Sequence, residues 1–215
     1  MSSQIRDMLR TIRLNINEQR RTTQILRGEL EAALRTCDDS IRLEPANALH
    51  YMHRGVVRQR NGDAAGARAD YDRALELDRR CTNAYVNRGL LLATQGQYAD
   101  ALADYNQAIY LDPRNATAYN NRALVSRVLG NMTAALADYN QAIQLEPHSP
   151  VAYSNRANLY FLTGQYDRAE ADYRRAQMLD PRYMSTVDHV TAIRTTLGPQ
   201  AGQTSDTGNL VTELP

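Results

Sequence analysis

Lysine is absent from this 215-residue chain, and all 25 of its basic residues are arginine. A phosphate-loop lysine, a Schiff-base lysine and a lysine-built anion clamp are therefore excluded. Cysteine is scarce, with Cys37 and Cys81 alone. That rules out a disulfide framework or a zinc-ligand spacing and points to a reducing compartment. No apolar run approaches the length of a membrane span, and no secretory hydrophobic segment is present. The Arg-rich opening stretch carries Asp7 and Glu18, which count against a transit peptide. A cytoplasmic protein is expected, with no membrane contact. A formal net charge of +1 argues against nucleic acid as a partner, because that role needs a basic excess. The excess base lies in residues 1–80 and the excess acid in residues 81–215. This polarity leaves head-to-tail association into a homo-oligomer open.

Signs of catalysis are missing too. His50, His53, His148 and His189 are scattered, with no acid or Cys at a metal-like i, i+4 position. There is no G-x-S-x-G and no phosphate-cradling glycine loop. No enzyme, cofactor or metal is expected. Cys37 reads as core and Cys81 as an exposed thiol in a turn.

What the chain does have is a period of 34 residues. Tyr51, Tyr85, Tyr119 and Tyr153 are separated by this step, and so are Gly62, Gly96, Gly130 and Gly164. Ala67, Tyr71 and Ala74 each begin a further series of four. Pro113, Pro147 and Pro181 close three copies, with Arg79 where a fourth proline would stand. Within a copy, Tyr85, Gly89 and Leu92 fall at helical spacing, as do Tyr98, Ala101, Tyr105 and Ala108. Gly96 suits the C-terminus of the first helix, and Asp112-Pro113 ends the second. Each copy is expected to be two antiparallel helices, with Gly89 facing Ala101 and Ala108 beneath Tyr85.

These columns resemble the tetratricopeptide repeat family. Four contiguous copies are expected at 48–81, 82–115, 116–149 and 150–183. A degenerate copy or N-cap is read at 14–47, with Asn17 and Arg21 in place of the aromatic and the small residue. Residues 1–13 are expected to form an amphipathic helix with Ile5, Leu9 and Ile12 on its stripe, which Ile16 extends; the stripe is expected to pack on the degenerate copy, with docking on a partner as the alternative. Residues 184–198 are expected to form a capping helix, striped by Val187, Val190, Ile193 and Leu197. Residues 199–215 are expected to be a disordered tail. The resemblance implies an all-α, right-handed α-solenoid whose concave groove is lined by the first helix of each pair. Chaperone-binding members of the family hold an acidic tail with a lysine-rich clamp. Here those columns hold Met52, Val56, Asn87, Thr117 and Asn121, so a chaperone's acidic C-terminus is not an expected partner.

Every full copy carries an arginine mid-helix (Arg54, Arg88, Arg122, Arg156) and an aspartate 16 residues later (Asp70, Asp104, Asp138, Asp172). A buried arginine without a partner would be costly. Pairing within a copy satisfies all four, whereas pairing back to the previous copy's acid orphans Arg54 against Thr36. A ladder of structural ion pairs within each copy is favoured.

One residue before each arginine the helix face turns by about 100°. His53, Asn87, Asn121 and Asn155 would then line the groove, with amides able to bond an extended peptide. Val86, Leu90, Asn120, Leu124, Arg127 and Asn158 are expected on the same face. The competing reading has each Asn bond locally within its own copy. Two functions follow: an adaptor or scaffold binding a peptide or partner segment in its groove, or an assembly subunit binding through its N-terminal helix, ends or convex face, self-association included.

Overall fold

The computed structural model describes residues 3–183. They form ten α-helices and no strand: α1 (Ser3–Leu26), α2 (Leu30–Leu43), α3 (Ala48–Arg60), α4 (Ala64–Leu77), α5 (Thr82–Thr94), α6 (Tyr98–Leu111), α7 (Ala116–Val128), α8 (Met132–Leu145), α9 (Pro150–Leu162) and α10 (Tyr166–Leu179). The readings at 184–198 and 199–215 lie outside the described residues. The chain divides into two compact units that part between Val125 and Ser126, inside α7.

Two local devices set each helix pair. The first is the turn at Gly96. There the Gly96 amide donates to the Ala93 carbonyl (3.1 Å) and the Gln97 amide to the Leu92 carbonyl (2.9 Å). This double bond closes a helix through a left-handed residue, and Gly96 takes φ of +75° at no steric cost. The second is the extended residue that ends the other helix. Asp112, before Pro113, has φ −138° and ψ 91°. Asp78 adopts nearly the same angles (−142°, 100°) although Arg79 follows it, so the exit does not depend on proline.

In the first unit, α3 packs on α4 and α5 on α6, while α2 meets α3 and α4 meets α5. Tyr71 and Tyr105 are fully buried between the helices of their pairs. Their rings lie over Gly55 and Gly89: a methyl at Gly89 would come within 2.8 Å of Tyr105 Cε1. Gly89 thus makes room for the tyrosine of the second helix. Ala108 shares a buried cluster with Val86, Ala118 and the flank of Tyr85. In the second unit, α8 packs on α9 and α9 on α10, around Ala157, Ala169 and Tyr173.

The N-terminal pair is held by other chemistry. α1 runs unbroken across residues 13 and 14, where the sequence reading drew a boundary, because no Gly or Pro interrupts it. Asn17 is buried and donates through Nδ2 to Ser40 Oγ at 3.1 Å. Thr36 donates to Gln24 Oε1 at 2.9 Å. Hydrogen bonds here take the place of the aromatic contacts of the other pairs. Cys37 sits in the core with Ala33 and Val57. Cys81 is also core, packed with Ala48, Tyr71 and Ala84, and is not the exposed thiol expected from its turn position.

Candidate interaction surface

The arginine column is answered from two sides. Arg88 donates from Nε and Nη2 to the two oxygens of Asp104 (2.8 and 2.7 Å), a bidentate fork. Its remaining nitrogen, Nη1, donates to Asp72 Oδ1 at 2.7 Å. Asp72 lies 16 residues earlier, on the second helix of the preceding pair. Arg54 repeats the pattern with Asp70 (2.9 and 2.7 Å) and Asp38 (2.7 Å). Arg156 does so with Asp172 (2.7 and 2.8 Å) and Asn140 (2.7 Å). Arg122 reaches back to Asn106 Oδ1 at 2.7 Å. Asp138 is buried on α8. The backward partner was missed in the sequence, where only the acid column itself was weighed.

Each guanidinium also lies over the tyrosine one turn before it. Arg54, Arg88, Arg122 and Arg156 stand 5.5–5.7 Å from the ring centres of Tyr51, Tyr85, Tyr119 and Tyr153. Hydrogen bonds to the carboxylates raise the pKa of Arg54, Arg88 and Arg156 against the opposing effect of burial. The charge that drew attention in the sequence is thus spent inside the fold, where it ties one helix pair to the next.

The neighbouring row is less uniform. His53 accepts through Nδ1 at 2.7 Å from Arg21 of α1, which is always charged and can only donate. Burial, reinforced by the charges of Arg21 and His50, pushes His53 down to about 4. Asn87 donates to the sulfur of Met52 at 3.6 Å, a weak contact that leaves its carbonyl oxygen unused. Asn121 accepts a long bond (3.4 Å) from Asn120, and its own amide nitrogen has no partner among the described residues. Leu90 is exposed, and Val56 and Leu124 are half-buried. Along this row Asn87 of α5 reaches Met52 of α3.

The other residues expected in the groove have the following surroundings. Val86 is 6% exposed and belongs to the core with Ala108 and Ala118. In the second unit, Asn158 accepts a hydrogen bond from the Tyr173 hydroxyl, so its oxygen is engaged inside the α9–α10 pair. Arg127 lies beside Tyr139, where its charge partly offsets the burial that raises the phenol pKa. Asn155 is half-buried on α9. Among the described residues no group of three or more His, Cys, Asp or Glu could hold a metal ion. No described helix is long and apolar enough to cross a membrane.

Comparison with known proteins agrees with this architecture. Two tetratricopeptide repeat family models match, one over residues 27–81 and 86–150 and the other over residues 150–183. No curated protein sequence matches the chain. Among solved structures, PilF of Pseudomonas aeruginosa is similar at 21% identity, with a TM-score of 0.70 over 89% of this chain and 94% of its own. A thermophilic tetratricopeptide repeat protein of Thermus thermophilus has 22% identity and a TM-score of 0.70, covering 85% and 97%. YrrB, reported as having an unusual peptide-binding site, has 20% identity and a TM-score of 0.59, covering 80% and 88%. At these identities the likeness is one of fold.

Proposed function

Because the chain belongs to the tetratricopeptide repeat family, whose fold in general serves protein–protein interaction, we propose that it is a non-enzymatic adaptor that binds an extended partner segment on the α3, α5 and α7 face of its first unit. The observation that carries this reading is the contrast between two adjacent residues. Arg88 has three short hydrogen bonds to protein carboxylates and a ring contact, while Asn87 has one weak bond and a spare carbonyl. Asn121 likewise keeps a spare N–H. An acceptor and a donor on successive first helices suit the alternating N–H and C=O groups of an extended backbone. Leu90 and Leu124 beside them would contact apolar side chains of the same segment. The face carries no lysine and offers no clamp for an acidic chain end.

The test is capture of the partner from the native source, identified by mass spectrometry and repeated with the Asn87→Ala, Asn121→Ala double variant. Both residues are partly solvent-facing, so the fold should persist. Loss of the partner with an unchanged melting curve supports the face, and undiminished capture removes it. A second reading, an assembly subunit that binds through its N-terminal helix, is favoured by the exposed apolar side chains of α1.

A further inference from the structure

α1 is the outlier among the helices, with 24 residues where the others have 13 or 14. At 1.5 Å per residue it runs about 36 Å, against about 21 Å for the helix it packs on. The surplus lies at its N-terminal end, where every side chain from Arg6 to Arg13 is exposed. Met8, Leu9, Ile12 and Ile16 are 46–56% exposed. Four large apolar side chains open along one helix face are unusual in a protein that works alone.

Their spacing has a specific meaning. Leu9, Ile12 and Ile16 follow one another by three and then four residues, and Ile5 continues the series in the sequence. That alternation is the seam of a two-helix coil, in which core positions recur every 3.5 residues on average. The basic residues keep the same period: Arg6, Arg13 and Arg20 recur every seven, each bordering the seam on the same side. All three are exposed, and none has an ion-pair partner among the described residues. The acids of the helix are used elsewhere. Asp7 lies 3.8 Å from Arg10 and Glu18 lies 3.9 Å from Arg21, both off the seam.

We propose that the outer face of α1 docks an amphipathic helix of a partner protein, with apolar residues at its two core positions and acidic residues flanking them. The apolar seam supplies the attraction, and the row Arg6, Arg13 and Arg20 selects a partner of opposite charge and fixes its register. A second copy of this chain fits less well. Antiparallel α1 helices would set the arginine rows against each other, and parallel ones would oppose them to Met8 and Asn15, leaving six arginines without an acid. This surface is separate from the α3, α5 and α7 face.

A synthetic helix of about three heptads with Leu at both core positions and Glu at both flanking positions provides the probe, since its own carboxylates keep it from self-pairing. Binding to the full chain is read by fluorescence anisotropy at two salt concentrations. The Glu helix should bind at least a hundredfold more tightly than the same helix with Lys in place of Glu. Leu9→Ser with Ile16→Ser should weaken it a hundredfold or more. Arg6→Gln, Arg13→Gln and Arg20→Gln together should cost about tenfold and flatten the salt dependence. All five residues are exposed, so circular dichroism should be unchanged. Asn87→Ala with Asn121→Ala should leave binding intact, which keeps this surface distinguishable from the groove. Equal binding of the Glu and Lys helices, or no binding, overturns the proposal. So does concentration-dependent self-association lost in the Ser variant, which makes a second copy the occupant. Sedimentation with phosphatidylserine vesicles, with no helix bound, would reassign the face to an anionic membrane.

Discussion

Removing Arg88 tests the ladder most directly. The Arg88 side chain is 24% exposed, Asp104 is 8% exposed and Asp72 is 43% exposed. Arg88→Ala strands the Asp104 carboxylate in a site with almost no water. Breaking a buried pair from one side typically costs about 3–5 kcal/mol, and Asp104→Ala should cost about the same by stranding the guanidinium. Asp72→Ala removes a half-exposed partner and should cost about 1 kcal/mol or less. Urea melts of the single and double variants give the couplings. Arg88 with Asp104 should be coupled by about 2 kcal/mol or more, and Arg88 with Asp72 by under about 1 kcal/mol. Losses for Arg88 and Asp104 that add within about 0.5 kcal/mol would refute the bidentate pair as a stabilising unit. An Asp72→Ala loss as large as that of Asp104→Ala would refute the argument from burial.

Three further outcomes follow from single contacts. Gly89→Val forces a branched side chain onto the Tyr105 ring, which a mere methyl already approaches to 2.8 Å, and should cost about 1–3 kcal/mol by thermal melting; a neutral effect would mean that the ring can yield. His53 is held near 4 when folded against 6.5 when free, so the unfolded chain takes up its proton first. Its contribution is whole above pH 6.5, falls as pH drops from there toward 4, and amounts to about 3 kcal/mol at most. His53→Asn should remove that part of the difference between urea midpoints at pH 7 and pH 5, and an unchanged difference would refute a buried, uncharged His53. Cys37 is buried and its thiol is pushed up to about 11, so it should resist a thiol reagent at pH 8 until the chain unfolds; prompt labelling of native protein would contradict its place in the core.

The helix pairs were legible in the sequence because their causes are local. Gly96 announces a left-handed turn, and Asp112-Pro113 announces an exit, whatever lies beyond them. The face of a side chain was less legible where it depends on the next pair. Val86 and Leu90 are four apart and equally apolar, yet Val86 is buried because Ala108 and Ala118 close over it. Asn158 sits in the column of Leu90, but its polar end finds the Tyr173 hydroxyl one helix away. The helical period gives the direction of a side chain but not what the neighbouring helix brings to meet it. α1 shows the same limit. The 34-residue period sets a boundary before residue 14, but the backbone has no reason to break there.

The backward partner of the arginines was hidden for a more specific reason. Its column runs Asp38, Asp72, Asn106 and Asn140, so a search for matching charge finds only half of it. What the four share is an Oδ1 placed 2.7 Å from an arginine Nη1. The change from acid to amide is matched by the surrounding cations. Around Arg54, the carboxylates of Asp38 and Asp70 face two arginines, because Arg58 also donates to Asp70 at 2.9 Å. Around Arg88, the carboxylates of Asp72 and Asp104 again face two, because Arg68 lies 3.9 Å from Asp72. Around Arg156, Asn140 is neutral and Asp172 is the carboxylate that holds the guanidinium. Asn106 and Asn140 are exposed, so an amide or a carboxylate can serve as the acceptor there at little difference in energy. For Arg54, Arg88 and Arg156, binding an acidic ligand would first have to take the guanidinium from the carboxylate it already holds.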